Sequence, residues 1–135
     1  MAGLVAIADL QVGVYTASKY ACNGYTEILR AELAPEDIGV SVLCPGLIDT
    51  NLAQTSARNR AAAFGGPMPE PAPMPEAMRA TAMAPEDVGP IVVRGIRENR
   101  LHILTHPDAS LALVRARFEA IEADARAQAR AEASS

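Results

Sequence analysis

Two short runs constrain this chain more than any other feature: Ile38 to Cys44 (IGVSVLC) and Leu101 to Thr105 (LHILT). Both are apolar and rich in β-branched or leucine side chains, with no polar face to turn to water. Such a run suits a strand buried on both sides of a parallel sheet, which needs helices above and below it. Around the two runs the apolar spacing changes to that of helices. From Val14 to Ala34 the small and apolar positions Ala17, Ala21, Gly24, Ile28 and Leu33 recur at helical intervals, and Pro35 stops the run. Ala84-Pro85-Glu86-Asp87 opens a second helix with Pro and acids in its first turn, and Val88, Ile91, Val92 and Ile96 carry it to about Asn99. From Asp108 onward Leu111, Val114, Phe118, Ile121 and Ala125 form a further stripe between Arg and Glu residues. The alternation predicts an α/β protein with a parallel sheet. Two strands alone do not close such a sheet, so the expected fold is the C-terminal part of a doubly wound, Rossmann-like domain whose other strands lie outside this sequence.

The remaining stretches connect these elements. Pro45-Gly46 ends the first strand, and a short helix is expected around Asp49 to Ala62, with Asp49 as its cap. Phe64 to Pro75 holds two glycines and five prolines, which excludes a regular element. The sequence therefore divides into a catalytic part, 1–107, and a C-terminal helix with a polar tail, 108–135. Within the first part, 63–83 reads as a mobile loop. Met68, Met74, Met78 and Met83 lie in or beside that loop, and Met fills irregular apolar pockets, so it is a candidate substrate lid. A disordered insert is the other reading, and a lid implies an apolar substrate.

Composition removes several function classes. The 50% hydrophobic content supports a core, and a net charge of −4 with mixed signs along the chain offers nothing to nucleic acid or an anionic membrane surface. No run approaches the roughly 20 apolar residues of a membrane span, and the N-terminus lacks the basic flank of a signal peptide. A cytoplasmic location is expected. Cys22 and Cys44 stand at no metal-ligand or redox spacing and read as packing thiols. His102 and His106 are four apart without accompanying Cys or carboxylate ligands, so no metal site is expected.

Chemistry enters with Tyr15-Thr16-Ala17-Ser18-Lys19, which sets a phenol and an ammonium four residues apart on one helix face. A free phenol ionises only near pH ~10, and a fixed cation beside it favours the phenolate. Such a pair can exchange a proton with a carbonyl or hydroxyl oxygen. Lys19 is the single Lys among 12 basic residues, which suits a position where a guanidinium cannot stand in for a compact ammonium.

The sequence YTASKYACNGYTEILRAEL, followed by a buried strand and then Pro45-Gly46-Leu47-Ile48-Asp49-Thr50, resembles the single-domain branch of the short-chain dehydrogenase/reductase family. That family joins a Tyr-x-x-x-Lys helix to a strand ending in Pro-Gly-x-x-x-Thr, and the resemblance runs from about Gly3 to Leu104. It implies that Tyr15 is the proton donor or acceptor and that Lys19 assists it while bonding the ribose of NAD or NADP. It also implies that Pro45 and Gly46 line the nicotinamide face, that Ile48 bonds the carboxamide through its backbone, and that Thr50 does so through its hydroxyl. The implied substrate is a small-molecule alcohol or ketone. The implied assembly is a homo-oligomer through the Tyr15–Lys19 helix, whose Ala17, Ala21 and Gly24 let backbones approach. Met1 to Val14 contains no Ser or Thr, so the substrate-orienting Ser and the Gly-rich pyrophosphate turn are expected upstream. Two functions follow: an NAD(P)-dependent oxidoreductase segment, or a non-catalytic truncated relative that acts by association with a full-length one. An extended-branch epimerase or dehydratase is disfavoured by the segment after the strand.

Overall fold

A computed structural model describes residues 3–4, 13–60, 62, 65–69 and 71–133. The elements in chain order are α1 (Gly13–Leu33), a 3-10 turn (Ala34–Glu36), β1 (Val42–Cys44), α2 (Leu52–Arg58), α3 (Glu76–Arg79), α4 (Pro85–Arg97), β2 (His102–Leu104) and α5 (Pro107–Glu132). The chain divides into two units, 1–46 with 90–135 and 47–89. Within the first unit α5 lies against α1, where Arg117 donates to the Tyr20 hydroxyl.

In the first unit, α1 ends where Pro35 removes a backbone donor. The 3-10 turn finishes on Asp37 in the left-handed region (φ 56°), a conformation that short polar side chains tolerate. The Ile38 N–H returns to the Leu33 carbonyl at 3.3 Å, which satisfies one of the helix's last acceptors. The chain then approaches β1 under the control of one side chain. Arg30 donates to the Val40 carbonyl at 2.8 Å and to the Asn99 carbonyl at 2.9 Å, tying the entry of β1 to the exit of α4.

β1 and β2 pair in parallel with Val42 opposite His102, Leu43 opposite Ile103 and Cys44 opposite Leu104. The strand expected over Ile38 to Cys44 is thus reduced to its last three residues. Its first part spends its polar groups differently: the Val40 carbonyl is taken by Arg30, and the Ser41 hydroxyl donates to the Arg100 carbonyl at 2.7 Å. Ladder bonding begins only where the Val42 N–H reaches the Leu101 carbonyl at 2.7 Å.

Helices flank the two-stranded sheet. On one side Gly95 of α4 lies so close to β2 that a Cβ there would stand 2.6 Å from Ile103 Cγ1, so the glycine permits the contact. On the other side Asn23 of α1 meets Cys44, with Sγ 3.6 Å from Oδ1. Ile103 is 3% and Cys44 1% exposed, and they form the centre of a small core. Burial on both faces of β1 is not achieved, since Leu43 remains 39% exposed among the described residues.

In the second unit Ile48 and Met83 form a parallel bridge. Asn51, not Asp49, occupies the cap position of α2, and no side-chain bond caps it. The Asp49 N–H instead donates to the Met83 carbonyl at 3.0 Å. The described residues between Gly65 and Pro75 adopt no helix or strand, and the Met68 N–H donates to the Ala57 carbonyl at 3.0 Å. Phe64 and Glu70 lie outside the described residues.

Candidate functional site

Tyr15 and Lys19 occupy successive turns of α1, and the Lys19 ammonium stands 5.3 Å from the centre of the Tyr15 ring. That distance is a cation–π contact, which holds the charge beside the phenol without neutralising it. Tyr15 is 46% exposed, so its ring can be reached from solvent. The Ser18 hydroxyl in the same turn donates to the Tyr15 carbonyl at 2.6 Å and is thereby turned back onto the helix.

The pair opens onto a cleft of about 190 Å³ between α1 and the carboxyl end of β1, with Asn23, Cys44 and Pro45 among its walls. Loops at the carboxyl ends of parallel strands are where open α/β sheets bind ligands. Cys44 closes the floor, and burial raises its thiol above the ordinary range, which keeps it protonated and inert. Cys22, also at the cleft, is exposed.

Asn23 was not singled out by the sequence and is the site's main addition. It is 7% exposed, and its side-chain amide donates to the Gly3 carbonyl while its oxygen faces Cys44. One turn beyond Lys19, it fixes the chain segment at Gly3 against the wall of the cleft. The available signal was an Asn in a helix interior, where it is a poor helix former unless its side chain has work elsewhere.

Pro45 and Gly46 leave β1 at the rim, where the Gly46 N–H donates to Thr105 Oγ1 at 2.8 Å. Thr105 Oγ1 also lies 2.8 Å from His106 Nδ1. A Cβ at Gly46 would overlap the His106 ring. A close approach within the protein therefore requires glycine at this position. His102, the other histidine, faces Glu27, with Nε2 3.4 Å from Oε1, within ion-pair reach but without a hydrogen bond. The two histidines have separate partners, and no cluster of three or more metal-ligating side chains occurs among the described residues.

Ile48 and Thr50 belong to the second unit. The bridge to Met83 uses the Leu47 carbonyl, which accepts the Met83 N–H at 3.0 Å, and the Asp49 N–H. In a parallel bridge the central residue's own N–H and C=O point the other way. Among the described residues the main-chain N–H and C=O of Ile48 have no backbone partner, on a backbone held at both neighbours. Thr50 is exposed two residues on.

Tyr15 and Lys19 could hold one end of a dinucleotide, with a phenol and an ammonium at the cleft. A cleft of about 190 Å³ does not enclose more than such an end.

The chain is similar to several known proteins. The family model described as short chain dehydrogenase matches residues 1–61. Dehydrogenase/reductase SDR family member 7B of Xenopus laevis is 33% identical over 90 residues, covering 67% of this chain and 25% of that protein. The 1-deoxy-11-beta-hydroxypentalenate dehydrogenase of Streptomyces exfoliatus is 32% identical over 99 residues, covering 73% of this chain and 30% of that protein. A short chain dehydrogenase/reductase from Burkholderia phymatum, solved in complex with NAD, superposes with a TM-score of 0.70 at 35% identity, covering 91% of this chain and 46% of the other. A short-chain dehydrogenase structure from Novosphingobium aromaticivorans gives a TM-score of 0.55 at 27% identity, covering 98% of this chain and 45% of the other. The chain thus spans about a quarter to under half of the relatives it matches, and its two-stranded α/β arrangement is that of a partial Rossmann-like domain.

Proposed function

We propose that this chain, which is similar to the short-chain dehydrogenase/reductase family over part of that family's length, is the catalytic segment of an NAD(P)-dependent oxidoreductase interconverting an alcohol and a ketone. The observation that carries the reading is the Lys19 ammonium held over the Tyr15 ring at a cleft by the carboxyl end of β1. When bound, the nicotinamide supplies hydride transfer. The residues of this chain supply the proton and the orientation. Tyr15 Oη gives a proton to the substrate oxygen in reduction and takes it back in oxidation. Lys19 places a fixed positive charge where negative charge develops on the phenol, and an ammonium has donors to spare for ribose hydroxyls. Pro45 and Gly46 bound the nicotinamide side of the cleft. The main-chain N–H and C=O of Ile48, which face away from Met83, match the complementary pair on a carboxamide, with the Thr50 hydroxyl as a further donor. The methionines around 68–83 form an apolar lid, which favours an apolar alcohol or ketone.

The same reading includes a cytoplasmic location and association of copies through Ala17, Ala21 and Gly24 of α1. Among the described residues no helix is long and apolar enough to cross a membrane. The test follows nicotinamide absorbance with a panel of alcohols and ketones, in a polypeptide that carries this segment together with a Gly-rich dinucleotide turn. Turnover that disappears in Tyr15→Phe supports the proposal, and turnover that survives it removes Tyr15 from the mechanism.

A second reading, a non-catalytic segment acting by association with a full-length relative, draws on the small cleft and the exposed Leu43. It predicts that the 135-residue chain alone binds neither NADH nor NADPH usefully and does not unfold cooperatively. Micromolar binding with a cooperative calorimetric transition would overturn it.

A further inference from the structure

On the other flank of α1 from Tyr15 lies a hollow of about 500 Å³, walled by Tyr20 and Gly24 of α1, Leu104 of β2, and Leu111, Val114 and Phe118 of α5. From Arg115 to Ala133 every residue of α5 and its cap is exposed. Leu111 is 48%, Phe118 57% and Ile121 49% exposed, although they lie on one stripe. Half of a long helix thus projects into solvent, with an apolar seam that begins inside the hollow and continues past it.

The spacing of that seam is 111, 114, 118, 121, 125 and 128, alternating three and four residues, as in the core positions of a two-stranded coiled coil. The positions flanking the seam carry charge in a definite order: Arg115 and Arg117 come first, Glu122 and Asp124 one heptad later. Two copies of α5 laid antiparallel about a point between Phe118 and Ile121 match this order. Phe118 meets the partner's Ile121, Val114 meets the partner's Ala125, and Leu111 meets the partner's Gln128. Arg115 then faces the partner's Glu122 and Arg117 faces the partner's Asp124, and the two-fold axis repeats both pairs, giving four. A parallel arrangement brings together only Arg117 and the partner's Glu122, hence two. Arg117 is already held at the rim of the hollow by the ring and hydroxyl of Tyr20. The small Ala125 suits the place where the partner helix must enter beside α1.

We infer that α5 is a self-association surface, and that the occupant of the hollow is the second half of α5 from another copy of this chain, packed antiparallel. The inference does not depend on the catalytic reading. It concerns a different helix from the small-residue face of α1.

Sedimentation equilibrium of the full chain tests it with three variants: Arg115→Glu, Glu122→Arg, and both together. Each single reversal sets like charges face to face twice and is expected to weaken association by about tenfold or more, and more so at low salt. The double variant restores the pairing and returns the association to near its original strength. An equimolar mixture of the two single variants associates more tightly than either alone. Ile121→Asp, at an exposed position outside the core, abolishes association through α5 whatever the charges do, and leaves association through α1 untouched. Far-ultraviolet circular dichroism separates a lost interface from a lost helix. A wild-type chain that stays monomeric at every accessible concentration would overturn the inference, as the occupant would then be something other than a second copy. Single reversals without effect, or a double variant that fails to restore association, would overturn it equally.

Discussion

Lys19 holds its ammonium 5.3 Å from the centre of the Tyr15 ring, one helical turn away, and no other cation stands so placed beside that phenol among the described residues. In an intact enzyme carrying this segment, Tyr15→Phe keeps the ring and its cation contact and deletes only the hydroxyl. The expected outcome is a fall in kcat of about 10²- to 10⁴-fold, the range for loss of a general acid or base. Fluorescence titration is expected to show the dinucleotide Kd unchanged within roughly threefold, since removal of a group that acts only in the transition state leaves ground-state binding in place.

Lys19→Arg conserves charge and is nonetheless expected to lower kcat by about tenfold or more, because the planar guanidinium spreads its charge and does not act as a compact point charge beside the phenol. Lys19→Met removes the charge and keeps the stem, and is expected to cost more than the Arg substitution. Steady-state kinetics on both variants would show the order. An Arg variant as active as the wild type would mean that a point charge is not what the site requires.

Gly95→Ala tests the contact between α4 and β2. Alanine improves helix propensity by about 1 kcal/mol. The new Cβ would lie 2.6 Å from Ile103 Cγ1, and overpacking of that kind costs about 1–3 kcal/mol. The clash wins, and a net loss of roughly 1 kcal/mol is expected. In an Ile103→Ala background the obstacle is gone and the sign reverses, so that Gly95→Ala becomes stabilising. Urea unfolding of the intact enzyme with the two single variants and the double variant closes the cycle.

Cys44 and Cys22 should separate by reactivity. Burial raises the Cys44 thiol, so the folded protein binds that proton more tightly than the unfolded chain does. The associated stability is fully present below the unfolded thiol's pKa and is lost as pH rises through the higher folded value. Iodoacetamide near neutral pH is expected to label the exposed Cys22 and spare Cys44 until denaturant is added, as read by mass spectrometry of the peptides. Labelling of Cys44 at the rate of Cys22 would show that the cleft floor opens.

Local pattern carried much of the fold. The helical spacing from Val14 to Ala34 lies within one residue of α1 at either end, because Pro35 stops a helix by covalent geometry alone. The strand ahead of Cys44 was overdrawn by four residues. Its length depends on partners: the Val40 carbonyl is claimed by the side chain of distant Arg30, and the Ser41 hydroxyl donates to the main-chain carbonyl of distant Arg100. The same limit explains Asn23 and Gly46. The work of Asn23 is to bind Gly3 and face Cys44, and the reason for glycine at 46 is the ring of His106, neither of which is a neighbour in sequence. The pairing of Tyr15 with Lys19 was legible because it needs nothing but one helix turn. The backbone opportunity at Ile48 was not legible from its residues, since it arises from a bridge to Met83 thirty-five positions away.

That bridge has a consequence for how this segment can vary. A recognition element made of main-chain amide and carbonyl is indifferent to the side chain mounted on it. Position 48 can therefore drift among many amino acids without loss of its donor and acceptor, proline excepted. Sensitivity is displaced onto the neighbours that hold it: a proline at Asp49 or at Met83 would remove one of the two bonds that fix the peptide in place. Mutational scanning would thus find the residue nearest such a ligand permissive and its props intolerant, an inversion of the usual link between proximity and constraint.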